Sequence, residues 1–271
     1  MTDPLHLELL QLAQEAARQA GVLLRDGRPA DLAVAATKSS PVDVVTEMDL
    51  AAEKLIVDLI SGRRPEDGFL GEEGTSAEGT SGVRWVIDPL DGTVNYLYGL
   101  PSWAVSIAAE VDGETVAGVV AAPMRGETYQ AVLGKGAWAT GGWEGERPLA
   151  CRPPAPLGQA LVSTGFNYVT EVRARQAEIA ARLIPLVRDI RRGGSAAIDL
   201  CDLACGRLDG YYERGLHPWD VAAGDLIARE AGAMTGGRPG ERPSDVLTIA
   251  GTPSVFEPLQ RLLGDFGAWQ D

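Results

Sequence analysis

Trp85-Val86-Ile87-Asp88-Pro89-Leu90-Asp91-Gly92-Thr93 is the stretch on which the reading of this chain turns. An apolar strand runs directly into two acids three residues apart, and a Gly-Thr step follows. A strand end there places Asp88 and Asp91 close together at one rim. Two carboxylates at that range repel, and one is pushed toward its protonated form. A divalent cation removes the conflict. Hard oxygen ligands with no His or Cys favour magnesium, manganese or calcium over zinc. Gly92 and Thr93 open a helical turn whose free N–H groups suit a phosphate. Metal-binding acids beside an anion-accepting helix start point to phosphoryl chemistry. The competing reading is that Asp-Pro and Asp-Gly are ordinary turn dipeptides.

Three outlying pieces bear on the choice. Gly71-Glu72-Glu73 follows the short apolar run Phe69-Leu70, which lets Glu72 reach the same rim; taken alone it reads as a solvated loop acid. Trp219-Asp220-Val221-Ala222-Ala223-Gly224 puts an acid at the start of a small-residue helix, where a cap or a dipole partner is the simpler explanation. Asp49 has capping-box spacing from Thr46, with Ala52, Leu55, Ile56 and Leu59 as the helical stripe beyond. Each signal is weak alone, and their combination in this order carries the weight.

Around these motifs the chain begins with an amphipathic helix, Leu5, Leu9, Leu12, Ala16, Ala20 and Leu23 sharing one face. A polar loop, Lys38-Ser39-Ser40-Pro41, leads to Thr46. Ala104 to Val111 and Thr115 to Ala121 flank Asp112-Gly113 as a hairpin, and Tyr129 to Leu133 adds a strand. Gly134 to Pro156, rich in Gly, Pro and scattered charge, reads as an inter-lobe connection. Beyond it strands at Leu161-Val162, Gly210 to Glu213 and Leu247 to Ala250 alternate with helices over Val172 to Val187, Ser195 to Arg207, Val221 to Ala231 and Val255 to Leu263. The order predicts an N-terminal α+β lobe over residues 1–150 with most of the metal ligands. A C-terminal α/β lobe over residues 151–271 carries Asp220 and the substrate contacts.

The 271 residues suffice for a full core. Lys and Arg total 24 against 38 Asp and Glu, a net charge of −14, which argues against nucleic acid and anionic membrane as partners. Bound cations would reverse that sign locally for an anionic substrate. No run reaches membrane-spanning length, so a soluble, cytoplasmic protein is expected. Cys151, Cys201 and Cys205 are odd in number; Cys201 and Cys205, four apart in a helical pattern with no His or CxxC pair, read as small buried residues. Of the two histidines, His6 lies at the start of the first helix and His217 beside Trp219, where it could border the substrate or serve structure alone.

The set Asp49, Gly71-Glu72-Glu73, Asp88 to Thr93, Gly193-Gly194-Ser195-Ala196-Ala197 and Trp219-Asp220 resembles the inositol monophosphatase family, its bacterial inositol-1-monophosphatase branch above all. The resemblance covers nearly the whole chain and implies a five-layered α-β-α-β-α sandwich, usually a homodimer. It implies that Glu72, Asp88 and the Leu90 carbonyl hold a first magnesium. Asp88, Asp91 and Asp220 hold a second, and Glu72 helps with a weaker third. Asp49 and Thr93 then orient the attacking water, Gly92 and Thr93 receive the phosphate, and Ser195, Ala196 and Glu213 touch the polyol. Inositol monophosphate is the implied substrate, with histidinol phosphate next because Glu213 also suits an amine. An inactive regulatory relative is the alternative of another class. Pro218, Asp225 and the Gly236–Ser244 segment depart from the family pattern.

Overall fold

The computed structural model describes residues 3–29, 34–37, 44–142 and 144–269. The loop expected at Lys38 to Pro41 lies outside them. The helices are α1 (Pro4–Asp26), α2 (Glu47–Ser61), α3 (Thr93–Leu97), α4 (Thr170–Leu183), α5 (Ala196–Ala204), α6 (Pro218–Glu230) and α7 (Phe256–Asp265). β1 (Ala36–Thr37) and β2 (Val44–Val45) form a small ribbon. An eight-stranded sheet is built from β3 (Gly68–Gly71), β4 (Ser76–Ala77), β5 (Val83–Asp91), β6 (Ala104–Val111), β7 (Glu114–Ala122), β8 (Glu127–Val132), β9 (Ala137–Gly141) and β10 (Arg147–Pro148). Its order is β10-β9-β8-β7-β6-β5-β3-β4, antiparallel except where β3 pairs with β5. A five-stranded sheet takes β11 (Leu161–Thr164), β12 (Asp189–Arg191), β13 (Gly210–Glu213), β14 (Met234–Gly236) and β15 (Thr248–Gly251) in the order β12-β11-β13-β15-β14.

Period-two alternation explains the layering. Along β5, Trp85 and Ile87 face a core shared with α1 and α2, whereas Val86 faces a second core shared with α5 and α6. Along β13, Tyr211 packs toward α5 and α6, and Tyr212 toward α4 and α7. Both sheets are therefore buried on two faces, which gives the α-β-α-β-α sandwich that the motifs imply. The small residues of α6 serve the middle layer. A Cβ on Gly118 of β7 would lie 3.0 Å from the Ala223 Cα, and one on Gly224 would lie 2.8 Å from a Leu200 methyl of α5. Larger side chains there would push α6 off the sheet that it must touch.

Three local expectations need correction. The Gly134–Pro156 segment is not a bare connection, because β9 and β10 extend the large sheet. Its glycines, with positive φ at Gly134, Gly136, Gly141, Gly142 and Gly145, mark tight turns between strands. The helix expected over Val172 to Val187 stops at Leu183 and becomes a 3₁₀ turn over Ile184–Leu186; Pro185 has no N–H to continue the α-helical ladder. Ser195 caps α5 from outside the helix, its Oγ accepting the Ile198 N–H at 3.2 Å.

Candidate active site

The decisive local feature is a bulge. Asp88 pairs with Ser106 and Asp91 with Ala104, so three steps along β5 answer two along β6. In a regular strand residues three apart face opposite sides. The extra residue resets the alternation, and Asp88 and Asp91 both line one cavity. Pro89 sits where a ladder N–H is not needed. The Leu90 N–H turns back to Asp88 Oδ1 at 2.9 Å. Strand geometry alone would have placed these acids apart.

Other segments close on the same cavity of about 290 Å³, which is lined by Glu72, Asp88, Leu90, Asp91, Gly92 and Thr93 from the first part of the chain. From the second part come Ser195, Ala196, Glu213 and Asp220. Every residue predicted as a metal ligand or substrate contact is therefore brought together there. Asp49 stands just behind, fully buried, with its Oδ1 3.0 Å from the Thr93 hydroxyl. Its other oxygen accepts the Thr46 N–H at 2.9 Å, so the capping box and the site contact coexist. The same holds for Asp220, whose Oδ2 accepts the His217 N–H at 2.6 Å while the residue lines the cavity. Capping and site roles are compatible because a carboxylate has two oxygens.

Ser195 contacts an acid as well as the cavity: its hydroxyl donates to Asp91 Oδ2 at 2.6 Å. The Ala197 N–H donates to the same oxygen at 2.7 Å, so the start of α5 holds Asp91 from the middle helical layer. Burial pushes Asp91 up to about 6, against the pull of these two donors. Burial, followed by the charges of Glu72, Asp91 and Asp220, drives Asp88 well above the carboxylate range. Asp220 is raised well above it by burial, then by Asp91 and Glu72. Asp49 is raised by burial, although Thr46 and Thr93 oppose it. Glu213 rises to about 7 through burial, with the Tyr211 hydroxyl at 2.7 Å drawing it back.

Acids so close and so buried stay ionised only where a cation compensates them. Oxygen donors with no thiolate or imidazole among them fit a hard ion such as magnesium. That fit rests on the donor set. Among the described residues no three acids are already gathered at ligating distance, so ligation calls for side-chain movement.

Sequence reasoning missed Glu53. It lies 4% exposed on α2, and it accepts the Glu73 N–H at 2.8 Å and the Thr75 hydroxyl at 2.6 Å. Its carboxylate fills the space that a Cβ on Gly71 would occupy, which explains that glycine and fixes the turn carrying Glu72. The signal was present: Glu53 is four residues after Asp49, on the same buried helix face as Ala52 and Ile56. Asn95 was missed too; its Nδ2 donates to the Gly193 carbonyl at 2.9 Å and joins α3 to the loop before α5. The apparent departures are absorbed locally. Pro218 occupies the first turn of α6, where no N–H is required. Asp225 pairs with Arg229 at 2.8 Å. The Gly236–Ser244 segment turns on a Gly237 N–H to Glu241 carbonyl bond. His217 is exposed and stacks on Trp219 with centroids 4.9 Å apart. Cys201 is a core residue, as read, whereas Cys205, read as buried, is only partly so, because it ends α5 beside Arg207.

Sandwich and cavity together define an α/β protein whose acid-lined site is assembled from both of its sheets. A description of the inositol monophosphatase family matches residues 6–261. The chain is 46% identical over 235 residues to inositol-1-monophosphatase of Mycobacterium bovis, covering 84% of this chain and 81% of that one. It is 39% identical over 257 residues to Nus factor SuhB of Escherichia coli K12, covering 93% and 94%. Among solved structures, Mycobacterium tuberculosis SuhB matches with a TM-score of 0.82 at 42% identity, covering 97% and 98%. The chain belongs to the inositol monophosphatase family. No described helix is long and apolar enough to cross a membrane.

Proposed function

We propose that this protein is a magnesium-dependent phosphatase of small phosphate monoesters, with inositol monophosphate the preferred substrate. The observation that carries the reading is the convergence of Glu72, Asp88, Asp91 and Asp220 on one cavity with Gly92 and Thr93. Glu72, Asp88 and the Leu90 carbonyl would hold one ion, and Asp88, Asp91 and Asp220 a second. When bound, such ions acidify a water and stabilise charge on the departing oxygen. The chain's own residues do the positioning. Asp49 accepts the Thr93 proton, which leaves a Thr93 lone pair to take a hydrogen bond from the attacking water. Ser195 and the Ala197 N–H keep one Asp91 oxygen engaged and leave the other for the cavity. Gly92, at φ +93°, makes the turn that sets the α3 start beside the acids. A Cβ there would lie 2.9 Å from the Ser102 carbonyl, so no larger residue fits.

Glu213 faces the cavity from the end of β13, suited to accept hydrogen bonds from hydroxyl groups. Glu213→Gln should change the ranking of inositol 1-phosphate against histidinol phosphate, read as the ratio of their kcat/KM values, more than it changes magnesium affinity. An unchanged ranking counts against its substrate role. The runner-up substrate is histidinol phosphate, whose amine the same acid suits. The name Nus factor carried by the E. coli relative favours a second reading, a regulatory protein of the same fold. Purified protein assayed on both phosphates with magnesium, with and without chelator, separates the readings. Magnesium-dependent turnover lost on chelation is expected. Inactivity toward every monoester tested, regardless of metal, overturns the phosphatase reading.

A further inference from the structure

Two supports of the site hang on one helix. Asp49 and Glu53 stand four residues apart on α2, on the face that also buries Ala52 and Ile56. That face belongs to the core shared with α1 and β5, and a capping box closes the helix start, so α2 cannot shift without opening the core. Asp49 reaches the Thr93 hydroxyl at 3.0 Å, and Glu53 reaches the turn after Gly71. One rigid element therefore touches both the pair that would orient water and the turn that carries Glu72.

The turn is built around the Glu53 carboxylate. The Glu72 N–H is fixed to the Ile87 carbonyl of β5 at 3.1 Å, beside Asp88, and the Gly71 N–H closes the turn on the Thr75 carbonyl at 2.7 Å. Gly74, at φ +107°, reverses the chain between them. The N–H groups of Glu73 and Thr75 point inward, and Glu53 accepts them at 2.8 and 3.0 Å, one on each oxygen. The Thr75 hydroxyl adds a third donor at 2.6 Å. A Cβ on Gly71 would collide with the carboxylate, so the bare glycine lets the helix reach the strand end. Among the described residues the acids are not gathered at ligating distance, so Glu72 has to move toward a cation. With its backbone pinned by β5 on one side and Glu53 on the other, that movement is confined to side-chain torsions.

We propose that Glu53 is a positioning residue for the cation that Glu72 would hold: its grip on the Glu73–Thr75 turn sets how tightly that ion binds, and the shared helix fixes Glu72 relative to Asp49 and Thr93. The proposal rests on the phosphatase reading for the role of Glu72. Glu53 touches neither ion nor substrate, since it is 4% exposed and does not line the cavity. It acts by removing freedom. An unclamped turn lets the Glu72 backbone wander, and a binding ion then has to order it at a cost in affinity. Asp91 has its own hold from Ser195 and the Ala197 N–H, so the other ion position is left alone. A positioning defect is made good by more metal, whereas the loss of a ligand is not.

Magnesium affinity, read by isothermal titration calorimetry on the metal-free protein, tests this for the wild type, Glu53→Gln, Thr75→Val and the distant Glu127→Gln. A weakening of about 10-fold is expected for Glu53→Gln, in which one turn N–H must face an amide NH₂. Thr75→Val removes only the hydroxyl and should weaken binding about 3-fold. Glu127→Gln loses stability far from the site and should keep the wild-type affinity, which separates positioning from general weakening of the fold. At saturating magnesium the kcat of Glu53→Gln on inositol 1-phosphate should return to within about 3-fold of the wild type, unlike that of Asp88→Asn. Unchanged affinity in Glu53→Gln, an equal loss in Glu127→Gln, or a kcat that stays far lower at saturating magnesium overturns the proposal. Should Glu53→Gln fail to fold, Thr75→Val decides, and unchanged affinity there overturns it. A wild type that binds no magnesium sinks the phosphatase reading and this proposal together; a wild type and variants that bind it equally well sink this proposal alone.

Discussion

Asp88→Asn is expected to lower kcat/KM by on the order of 10²–10⁴-fold while leaving the fold intact. Asp88 is 1% exposed, and it is the acid that both proposed ion positions share. An asparagine has nearly the same shape, and its carbonyl oxygen can still accept the Leu90 N–H that Asp88 Oδ1 receives at 2.9 Å. The bulge in β5 should therefore survive. What disappears is one negative charge from a group of acids that repel one another. Without metal that loss relieves repulsion, and the melting temperature of the metal-free variant should equal or exceed that of the wild type. With magnesium the order should reverse, because the wild type gains ligand-binding stability and the variant gains little. Near-normal turnover at saturating magnesium, or a metal-free variant that melts well below the wild type, would contradict the role given to Asp88. The paired measurements separate a lost ligand from a damaged fold.

Glu127→Gln should be the most damaging single change outside the site, costing about 3 kcal/mol by denaturant unfolding. Glu127 lies on β8 with 6% exposure. Its oxygens take Arg207 at 2.6 and 2.8 Å, Arg147 at 3.1 Å and the Tyr129 hydroxyl at 2.5 Å. Arg207 follows α5 and also meets Asp202, itself bonded to Arg125 at 2.7 Å. The network thus ties the large sheet to the middle helical layer. Removing its central charge leaves two guanidinium groups facing each other across an amide. Arg207 is about a third exposed, which holds the cost to the lower part of the range for broken buried pairs.

The same residue sets the acid limit of stability. Burial alone would raise the Glu127 pKa, but the donors from Arg207, Tyr129 and Arg147 overcome it and hold the group down at about 2. Its reference value is 4.5, so its stabilisation is complete above that pH and is lost as pH falls from about 4.5 toward 2. Buried Asp199, raised to about 8, and Glu213, raised to about 7, act with the opposite sign. Their contribution is full below the ordinary carboxylate range and is lost as pH rises through those values. Metal-free protein should accordingly gain stability on mild acidification from pH 8 to 5 and lose it below about 4.5. Glu127→Gln should remove most of the second limb. Melting curves across pH 2–8 check both limbs, and an acid limb of undiminished depth in the variant would show that other carboxylates set it.

Much of the site was legible before any coordinates. Asp88 and Asp91 are close in sequence, and a pair of acids after an apolar strand advertises its chemistry locally. Glu72 and Asp220 were legible only as parts of a motif set, since each alone reads as an ordinary loop or capping acid. Glu53 and Asn95 escaped because their roles depend on partners 20 and 98 residues away whose placement the chain does not announce. The segment after Gly134 was misjudged for a related reason. Glycine and charge signal turns, but they do not say whether the residues between turns find a strand to pair with.

The order of residues by itself determined the alternation of strands and helices, the acid-bearing strand and the helix starts, because periodicity, caps and turn chemistry act over a few neighbouring residues. Only the tertiary structure decided that a one-residue bulge turns Asp88 and Asp91 to one side, that the start of α5 grips Asp91 from the middle helical layer, and that Glu53 and Asn95 fix the turns beside the acids. Those outcomes depend on register and packing between distant segments. Long-range contacts of that kind are fixed by the whole core at once, and no short window of sequence contains them.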